Sequence, residues 1–238
     1  MTSSLKVAVI GAGTMGNGIA QTYAANGHIV TLVDMSQEGL DRGLAAIRKS
    51  LDRFVKKEKI TQEQSDEIMA RVAGSTDLPT AVADVDMVVE AVFEREDVKK
   101  DVFVQLDKHA PQGAILATNT SSISITAIAS ATSRPESVVG MHFMNPVPIM
   151  KLVEIINGTK TTKSVNEIVV KIATKMGKVA LSCNDSPGFV SNRILCPMLN
   201  EAILTLEEGV ADPEAIDGIM KLGMNHPIGP LALSDLIG

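Results

Sequence analysis

The chain has 238 residues, of which 45% are hydrophobic, and its length suits one large domain or two modest ones. Its formal net charge of −6 argues against nucleic acid or an anionic membrane as the main partner. No apolar run reaches the roughly 18 residues that span a bilayer, and two cysteines, Cys183 and Cys196, suffice for neither a disulfide framework nor a metal quartet, so we expect a cytoplasmic protein without a metal site.

The first two-thirds of the chain alternates short β-branched runs with helical stretches, a pattern typical of a parallel sheet covered by helices. Lys6–Ile10 is predicted to be the first strand, Thr14–Asn26 the first helix and Ile29–Asp34 the second strand. Two helical stretches, Gln37–Glu58 and Gln62–Arg71, then follow each other directly. We expect them to form a helical hairpin inserted between strands of the sheet.

Further strands and helices are predicted as far as residue 182. The turn at Asn145–Pro148 is too short for a parallel crossover, which needs about a dozen residues, so the strands on either side of it are expected to run antiparallel. The predicted strands are Val85–Ala91, Ala114–Thr118, Ser137–Phe143, Lys151–Ile156 and Val179–Ser182, and the predicted helices are Val98–His109 and Lys163–Met176.

The last part of the chain has helical patterns alone. Ser186 is placed to act as an N-cap, with Pro187 at the first helical position. A long helix, Phe189–Glu208, is predicted to follow, and then a second helix, Pro213–Leu222.

These elements predict two domains. Residues 1–185 are expected to form an α/β domain, a Rossmann-type, doubly wound and mostly parallel sheet with the helical hairpin as an insertion. Residues 186–238 are expected to form a smaller all-α domain. No low-complexity linker separates the two.

Gly11-Ala12-Gly13-Thr14-Met15-Gly16 matches the pattern G-x-G-x-x-G between the first strand and the first helix. Gly11 permits a tight turn, Gly13 lets the backbone approach a pyrophosphate, and Gly16 lets helix and strand pack closely. Thr14 and Met15 begin the helix, whose N-terminal N–H groups can bind phosphates. A Gly-rich turn alone is a weak signal, but the strand–turn–helix context favours a dinucleotide site over a structural turn.

Asp34 ends the second predicted strand, 23 residues after Gly11. A carboxylate there would accept hydrogen bonds from an adenosine ribose and would repel a 2′-phosphate. The neighbouring Met35 supplies no positive charge. The sequence therefore favours NAD over NADP as the cofactor.

A basic island lies on the predicted helical hairpin of this otherwise acidic chain. Residues 42–59 carry seven positive side chains against two negative ones. Such an island can receive a polyanionic small molecule, whereas charge alone favours an ordinary solvated helix face.

Polar side chains follow several predicted strands at the edge where the glycine loop lies. In open α/β sheets, ligands bind beyond the carboxyl ends of the strands. Glu94 and Lys99 follow one strand, Asn119–Ser122 follow the next, and His142 and Asn145 lie at the end of a third. We expect these groups to gather on the same edge as the glycine loop.

His142 is the best candidate for proton transfer, because an imidazole titrates near neutral pH. A lone histidine at a strand end is more often structural, but Glu154 interrupts the apolar run Leu152–Ile156, where a carboxylate is costly unless it is paired. The predicted antiparallel turn would bring Glu154 back towards His142. Such a pair fixes the tautomer and stabilises the charged ring. A serine hydrolase is rejected, because the chain has no G-x-S-x-G segment.

Six segments, in order and spanning the chain, resemble the pattern of the L-3-hydroxyacyl-CoA dehydrogenase family, and the last resembles its short-chain, 3-hydroxybutyryl-CoA branch. The resemblance implies an NAD-dependent enzyme of fatty acid or butyrate metabolism. It would interconvert (S)-3-hydroxyacyl-CoA, such as 3-hydroxybutyryl-CoA, and 3-ketoacyl-CoA, such as acetoacetyl-CoA. The segments are Gly11–Gly16, Asn119–Ser122, His142–Pro148, Lys151–Glu154, Ser186–Arg193 and Gly223–Pro230.

The resemblance also implies roles for individual residues. His142 would be the catalytic acid/base and Glu154 its partner. Ser121 and Asn192 would hold the C3 oxygen of the substrate and the neighbouring thioester. The nicotinamide half of the NAD site would be lined by Glu94, Lys99, Ser121 and Asn145.

An acyl-CoA substrate would give the basic island a purpose. Ser50 and Lys57 match positions that hold the CoA moiety in the family, and Arg53 and Lys56 are added on charge alone. The family continues with further helices for several tens of residues, so the helical domain 186–238 is expected to be truncated. The expected assembly is a homodimer through that domain.

Two other functions fit part of the pattern. A dehydrogenase of the same architecture that acts on a free hydroxy acid or sugar acid would need no CoA site. A non-catalytic NAD-binding protein could keep the glycine loop and Asp34, but it would have no reason to keep His142, Glu154, Ser121 and Asn192 together.

Overall fold

The computed structural model describes residues 4–237 and divides the chain into two compact units, which meet in sequence between Ser186 and Pro187. The first unit is a mixed sheet covered by helices. Its strands are β1 (Lys6–Ile10), β2 (Ile29–Val33), β3 (Val72–Ser75), β4 (Met87–Glu90), β5 (Ile115–Thr118), β6 (Val138–Phe143), β7 (Leu152–Asn157) and β8 (Val179–Asn184). Its helices are α1 (Thr14–Ala25), α2 (Gln37–Lys56), α3 (Gln62–Ala70), α4 (Leu78–Val82), α5 (Glu96–His109), α6 (Ile125–Ala129) and α7 (Lys163–Lys175).

The eight strands form one sheet in the order β3-β2-β1-β4-β5-β6-β7-β8. Strands β1 to β6 are parallel, and their order 3-2-1-4-5-6 is that of the doubly wound dinucleotide-binding fold. Strand β7 pairs antiparallel with β6, and β8 pairs parallel with β7. The predicted fold class and the predicted antiparallel turn are both confirmed.

Burial explains which strands were recognisable in the sequence. Every residue of β4, β5 and β6 is buried, so these strands are almost continuously apolar. Strand β3 lies at an edge of the sheet, has the sequence Val-Ala-Gly-Ser and is partly exposed, so it carries no apolar signal. It was not predicted, and neither were the short helices α4 and α6.

Side-chain caps define the inserted helical hairpin. The Ser36 hydroxyl accepts a hydrogen bond from the Gly39 N–H at the start of α2. Thr61 and Gln64 form a capping box at the start of α3. The predicted hairpin insertion between β2 and the next strand is therefore present, with both of its helices starting at a cap.

The second unit contains three helices among its described residues, α8 (Ser191–Glu207), α9 (Pro213–Gly223) and α10 (Pro230–Ile237). Asp212 caps α9 by accepting from the Ala215 N–H. The carboxylate of Asp217, on α9, accepts from the Leu231 and Ala232 N–H groups at the start of α10. Helix α10 was not predicted.

The predicted N-cap at Ser186 is wrong, because α8 begins only at Ser191. Gly188 and Phe189 have φ angles of 73° and 52°, in the left-handed region, so the chain turns here instead of continuing as a right-handed helix. Glycine tolerates that conformation readily, whereas a phenylalanine rarely adopts it.

Candidate active site

The glycine loop joins β1 to α1 and is held by close backbone contacts. Gly11 has a φ of 99°, and a Cβ atom on it would lie 2.6 Å from the carbonyl oxygen of Ala91. A Cβ atom on Gly16 would lie 1.7 Å from the Gly11 carbonyl oxygen. Any larger residue at either position would therefore push the loop apart. These contacts explain two of the three predicted glycines on steric grounds.

The third glycine leaves open space where a phosphate group would lie. A Cβ atom built on Gly13 would meet no described residue outside its immediate chain neighbours within 4 Å. Gly13 is the N-cap of α1 and provides no side-chain cap to the N–H groups of the first turn, which begins with exposed Thr14 and half-buried Met15. Uncapped N–H groups at a helix N-terminus are suited to bind a pyrophosphate.

Asp34 follows β2 and lies beside this loop. Its Oδ2 atom accepts from the Ala12 N–H at 3.0 Å, and its Oδ1 atom accepts from the Ser36 N–H at 3.2 Å. Asp34 is half-buried, and the neighbouring Met35 is 99% exposed. The loop and the carboxylate together fit the pyrophosphate and the ribose of NAD.

Two glycines of α2 that the sequence did not single out make this arrangement possible. A Cβ atom on Gly39 would lie 2.5 Å from Asp34 Oδ1, and one on Gly43 would lie 2.7 Å from the Cβ atom of Ala12. Helix α2 can therefore approach the loop and Asp34 closely only with glycine at these positions. Their spacing of four residues, one helix turn, was the available signal.

Glu90 and Lys99 form a buried ion pair at the end of β4. The Lys99 Nζ atom lies 2.7 Å from Glu90 Oε1 and 3.3 Å from Glu94 Oε2. Glu90 also accepts from the Thr118 hydroxyl and from the Val92 N–H, each at 2.7 Å. The family resemblance implies that Lys99 lines the nicotinamide site, and the structure shows its side chain to be 1% exposed. Glu90 was missed, because a strand-end glutamate carries no motif.

Glu94 holds the loop that follows β5. Its Oε1 atom accepts from the Thr120 hydroxyl at 2.5 Å, from the Ser121 N–H at 2.7 Å and from the Ser122 N–H at 3.1 Å. Burial alone would raise the pKa of Glu94, but the Thr120 hydrogen bond and the charge of Lys99 bring it below its usual value. Glu94 is therefore a carboxylate, and it fixes the backbone at Ser121.

His142 and Glu154 are paired directly across the antiparallel strands β6 and β7. The His142 Nδ1 atom lies 2.8 Å from Glu154 Oε2, and both residues are buried, with exposures of 6% and 4%. Glu154 lies near the start of β7, so the pair is at the carboxyl end of β6, the same edge as the glycine loop. This geometry is that of an imidazole oriented by a carboxylate.

Asn119 links the neighbouring strand to this pair. Its Oδ1 atom accepts from the Phe143 N–H at 2.9 Å, which joins the end of β5 to the end of β6 next to His142. Asn145 lies two residues further on and is exposed. Asn119 was noted only as part of a segment, whereas the structure gives it a defined contact.

The predicted CoA-binding residues lie at the end of α2. Ser50 is half-buried, whereas Arg53, Lys56 and Lys57 are exposed and, within residues 4–237, take part in no ion pair. Other arginines of the island are neutralised: Arg42 pairs with Glu38, and Arg48 pairs with Asp66. The end of α2 therefore presents three exposed positive side chains that are not held in ion pairs with any residue that the structure describes.

Asn192, the remaining predicted residue, belongs to the second unit as the second residue of α8. Its assignment to the substrate stays a prediction. Within the described part of the chain, no group of three or more His, Cys, Asp or Glu residues is placed to hold a metal ion. None of the helices described combines the length and the apolar character needed to cross a bilayer.

Comparisons with known proteins identify the family of the chain. The family model of the 3-hydroxyacyl-CoA dehydrogenase NAD-binding domain matches residues 6–186, and that of the C-terminal domain matches residues 188–238. The chain is 56% identical to a probable 3-hydroxybutyryl-CoA dehydrogenase of Deinococcus radiodurans, over 98% of this chain and 84% of that protein. It is 50% identical to the 3-hydroxybutyryl-CoA dehydrogenase of Clostridioides difficile, over 98% and 83% of the two chains.

A solved structure shows the same fold. The crystal structure of (S)-3-hydroxybutyryl-CoA dehydrogenase from Ralstonia eutropha superposes with a TM-score of 0.96 at 49% identity, covering 99% of this chain and 83% of that one. The family predicted from six sequence segments is thereby confirmed. The chain belongs to the 3-hydroxyacyl-CoA dehydrogenase family and carries that family's NAD-binding domain.

Proposed function

We propose that the protein is an NAD-dependent dehydrogenase that interconverts (S)-3-hydroxybutyryl-CoA and acetoacetyl-CoA. The observation that carries the proposal is the buried His142–Glu154 pair, with 2.8 Å between the ring and the carboxylate, inside an NAD-binding domain of this family. Relatives at 50% and 56% identity are named for this reaction.

His142 acts as the general acid and base. Glu154 engages Nδ1 and so orients the imidazole that exchanges the proton with the substrate. In the oxidative direction the neutral ring accepts the proton of the C3 hydroxyl, and the carboxylate stabilises the imidazolium that forms. In the reductive direction the imidazolium donates that proton to the 3-keto oxygen.

The cofactor and the substrate are bound by different groups. Hydride transfer, which moves the hydrogen of C3 together with its two electrons, is the chemistry that bound NAD would supply in either direction. Gly13 and the start of α1 bind its pyrophosphate and Asp34 its ribose. Glu94, Ser121 and Asn145 line its nicotinamide end, and the buried Lys99 supports that end through its ion pair with Glu94. Ser121 and Asn192 hold the reacting end of the acyl group.

The basic end of α2 binds the phosphates of CoA. Arg53, Lys56 and Lys57 present three exposed positive charges, and Ser50 adds a hydroxyl one turn earlier. Attraction of a polyanionic substrate by such a cluster is favourable on an otherwise acidic protein. A free hydroxy acid lacks these phosphates, so the basic end of α2 favours binding of a CoA thioester over binding of a free hydroxy acid.

The test is the consumption of NADH with acetoacetyl-CoA, with free acetoacetate and with longer 3-ketoacyl-CoA esters. We expect turnover with acetoacetyl-CoA and little with acetoacetate. Lys57→Gln should raise the KM for acetoacetyl-CoA several-fold, roughly the effect of losing one phosphate contact, and should leave the KM for NADH unchanged. Lys175→Gln, which removes an exposed charge from α7, is the matched control. Equal rates with acetoacetate and acetoacetyl-CoA would instead indicate a dehydrogenase of free hydroxy acids.

Assembly and location complete the proposal. A homodimer through the helical second unit is supported by its exposed apolar side chains, among them Leu222 at 89% and Leu236 at 75%. A cytoplasmic location is supported by two free cysteines, Cys183 and Cys196. Light scattering would measure the mass of the assembly, and a monomer at micromolar concentration would contradict the dimer.

A further inference from the structure

Glu90 is a buried carboxylate with three partners from three segments of the chain. It accepts from the Val92 N–H of its own loop, from Lys99 on α5 and from the Thr118 hydroxyl on β5, each at 2.7 Å. Its own exposure is 0%. The carboxylate therefore joins the ends of β4 and β5 to the first turns of α5.

Lys99 extends this network to the surface of the site. Its ammonium lies between Glu90, at 2.7 Å, and Glu94, at 3.3 Å. Glu94 uses its other oxygen to accept from the N–H groups of Ser121 and Ser122. A continuous path of ion pairs and hydrogen bonds thus runs from Glu90 through Lys99 and Glu94 to the backbone of Ser121.

Stability alone does not account for this pair. Replacing a buried ion pair by apolar side chains of similar volume is often neutral or stabilising, because both charges lose their hydration on burial. Removing only one partner, by contrast, leaves an uncompensated buried charge and is destabilising. Positioning of the groups that the pair contacts is the remaining role.

We propose that Glu90 is a positioning residue for the reaction: it fixes Lys99, and through Lys99 and Glu94 it sets the loop that carries Ser121. Lys99 then acts by holding Glu94 and not by contact with the cofactor, since its side chain is 1% exposed. The inference rests on the proposed function, because it takes Ser121 to lie at the nicotinamide and substrate end of the site.

The test is a cycle of three variants, Glu90→Met, Lys99→Met and the double variant. Each single variant should lower the melting temperature, and the double variant should recover most of that loss. All three should lower kcat/KM for NADH by roughly tenfold to hundredfold, the effect of a slightly misplaced catalytic group. The losses of the single variants should not add, since both act through one path.

Asp107→Asn is the matched control. Asp107 pairs with the buried Arg134 at 3.0 Å, at the opposite end of α5. The control should lower the melting temperature and leave the kinetic constants per folded molecule unchanged.

A double variant that is stable and has the kcat and KM values of the unmodified protein would overturn the inference. If the losses in kcat/KM of the two single variants add in the double variant, Glu90 and Lys99 do not act through one path, and that part of the inference is overturned. Titration of NADH by fluorescence gives a second readout, in which the double variant should bind more weakly; unchanged affinity together with unchanged kcat would also overturn the inference. If the unmodified protein binds NADH but does not turn over acetoacetyl-CoA, the proposed function fails. The NADH affinities of the three variants, measured by fluorescence, still test the role of Glu90 in that case.

Discussion

The parallel part of the sheet and its antiparallel end each contain a buried carboxylate paired with a basic side chain, and the two pairs differ in what they can do. Glu90 on β4 pairs with Lys99, which comes from a helix, whereas Glu154 on β7 pairs with His142 on the adjacent strand. An ammonium ordinarily keeps its proton at neutral pH, whereas an imidazole gains and loses one there. The first pair is therefore suited to hold a structure in place, and the second is suited to move a proton.

Topology determines how each pair is assembled. Parallel strands are joined by long crossovers, so groups at their carboxyl ends meet through side chains that reach across loops. The antiparallel turn instead places residues 142 and 154 directly opposite each other, twelve positions apart in the chain. The position of His142 opposite Glu154 is thus fixed by strand register, which is strongly specified in a buried sheet.

Removing the charge of Glu154 should give the largest effect among the changes that keep His142. In Glu154→Gln the amide can still hold the ring, but it cannot stabilise the imidazolium. We expect kcat to fall about a hundredfold, at the lower end of acid–base contributions, with the affinity for NADH unchanged. Steady-state kinetics with acetoacetyl-CoA and NADH measure this. A kcat within twofold of the unmodified protein would place the pair among structural contacts.

The Asp107–Arg134 pair provides a reference with no catalytic role. Asp107→Asn should cost about 2 kcal/mol of stability, below the 3–5 kcal/mol typical of a fully buried broken pair, because Arg134 keeps its bonds to the carbonyl groups of Leu106, Ala110 and Pro111. Denaturant unfolding measures the loss. A change in KM for either substrate would show that this end of α5 communicates with the site.

A smaller effect, on the KM for the cofactor, is expected at Asp34, which follows β2 in the parallel part of the sheet. Asp34→Asn keeps an acceptor for the Ala12 N–H but loses the charge that favours ribose hydroxyls and repels a 2′-phosphate. The KM for NADH should rise about tenfold, the scale of one charged hydrogen bond, and the discrimination against NADPH should fall. Asp41→Asn, at an exposed position on α2, is the control. An unchanged preference for NADH over NADPH would contradict a role for Asp34 in cofactor binding.

The smallest effect, on stability, is expected at Asp185, the residue that follows β8 at the edge of the sheet. Burial alone would raise the pKa of this carboxyl, but hydrogen bonds from the Ser124 hydroxyl and the Thr126 N–H bring it below its ordinary value. A depressed pKa contributes stability above the ordinary value, and that contribution is lost as the pH falls through the folded-state pKa. Asp185→Asn should therefore cost under about 1 kcal/mol at pH 7, and the difference should vanish in acid. If the difference in stability between Asp185→Asn and the unmodified protein grows as the pH falls, the pKa of Asp185 is not depressed in the folded protein.

Local sequence patterns were sufficient for most of the fold. The glycine loop, the buried strands and the capped helices each depend on neighbouring residues, so their positions could be predicted to within a few residues. Strand β3 and helices α4, α6 and α10 are short, and tertiary contacts stabilise them more than their own sequences do. The start of α8 was misplaced, because nothing in the sequence marked the left-handed conformation of Phe189.

The site was predictable only in part, for a related reason. The His142–Glu154 pair follows from one short turn and one out-of-place carboxylate, and both are visible in the sequence. The roles of Glu94 and Lys99 came from resemblance to a family, which gives no indication that Lys99 is buried between two carboxylates. Glu90 could not be identified, since two of its three partners, Lys99 and Thr118, come from separate segments that only the fold brings close to it.

The central claim is that His142 transfers the proton in the redox step. Single-turnover kinetics of His142→Ala, mixed with acetoacetyl-CoA after NADH has bound, tests it most directly. The account predicts that the variant binds NADH within about twofold of the unmodified protein and oxidises it roughly a thousandfold more slowly, the middle of the range for general acid–base catalysis. Oxidation at a near-normal rate would contradict the role of His142 and, with it, the mechanism.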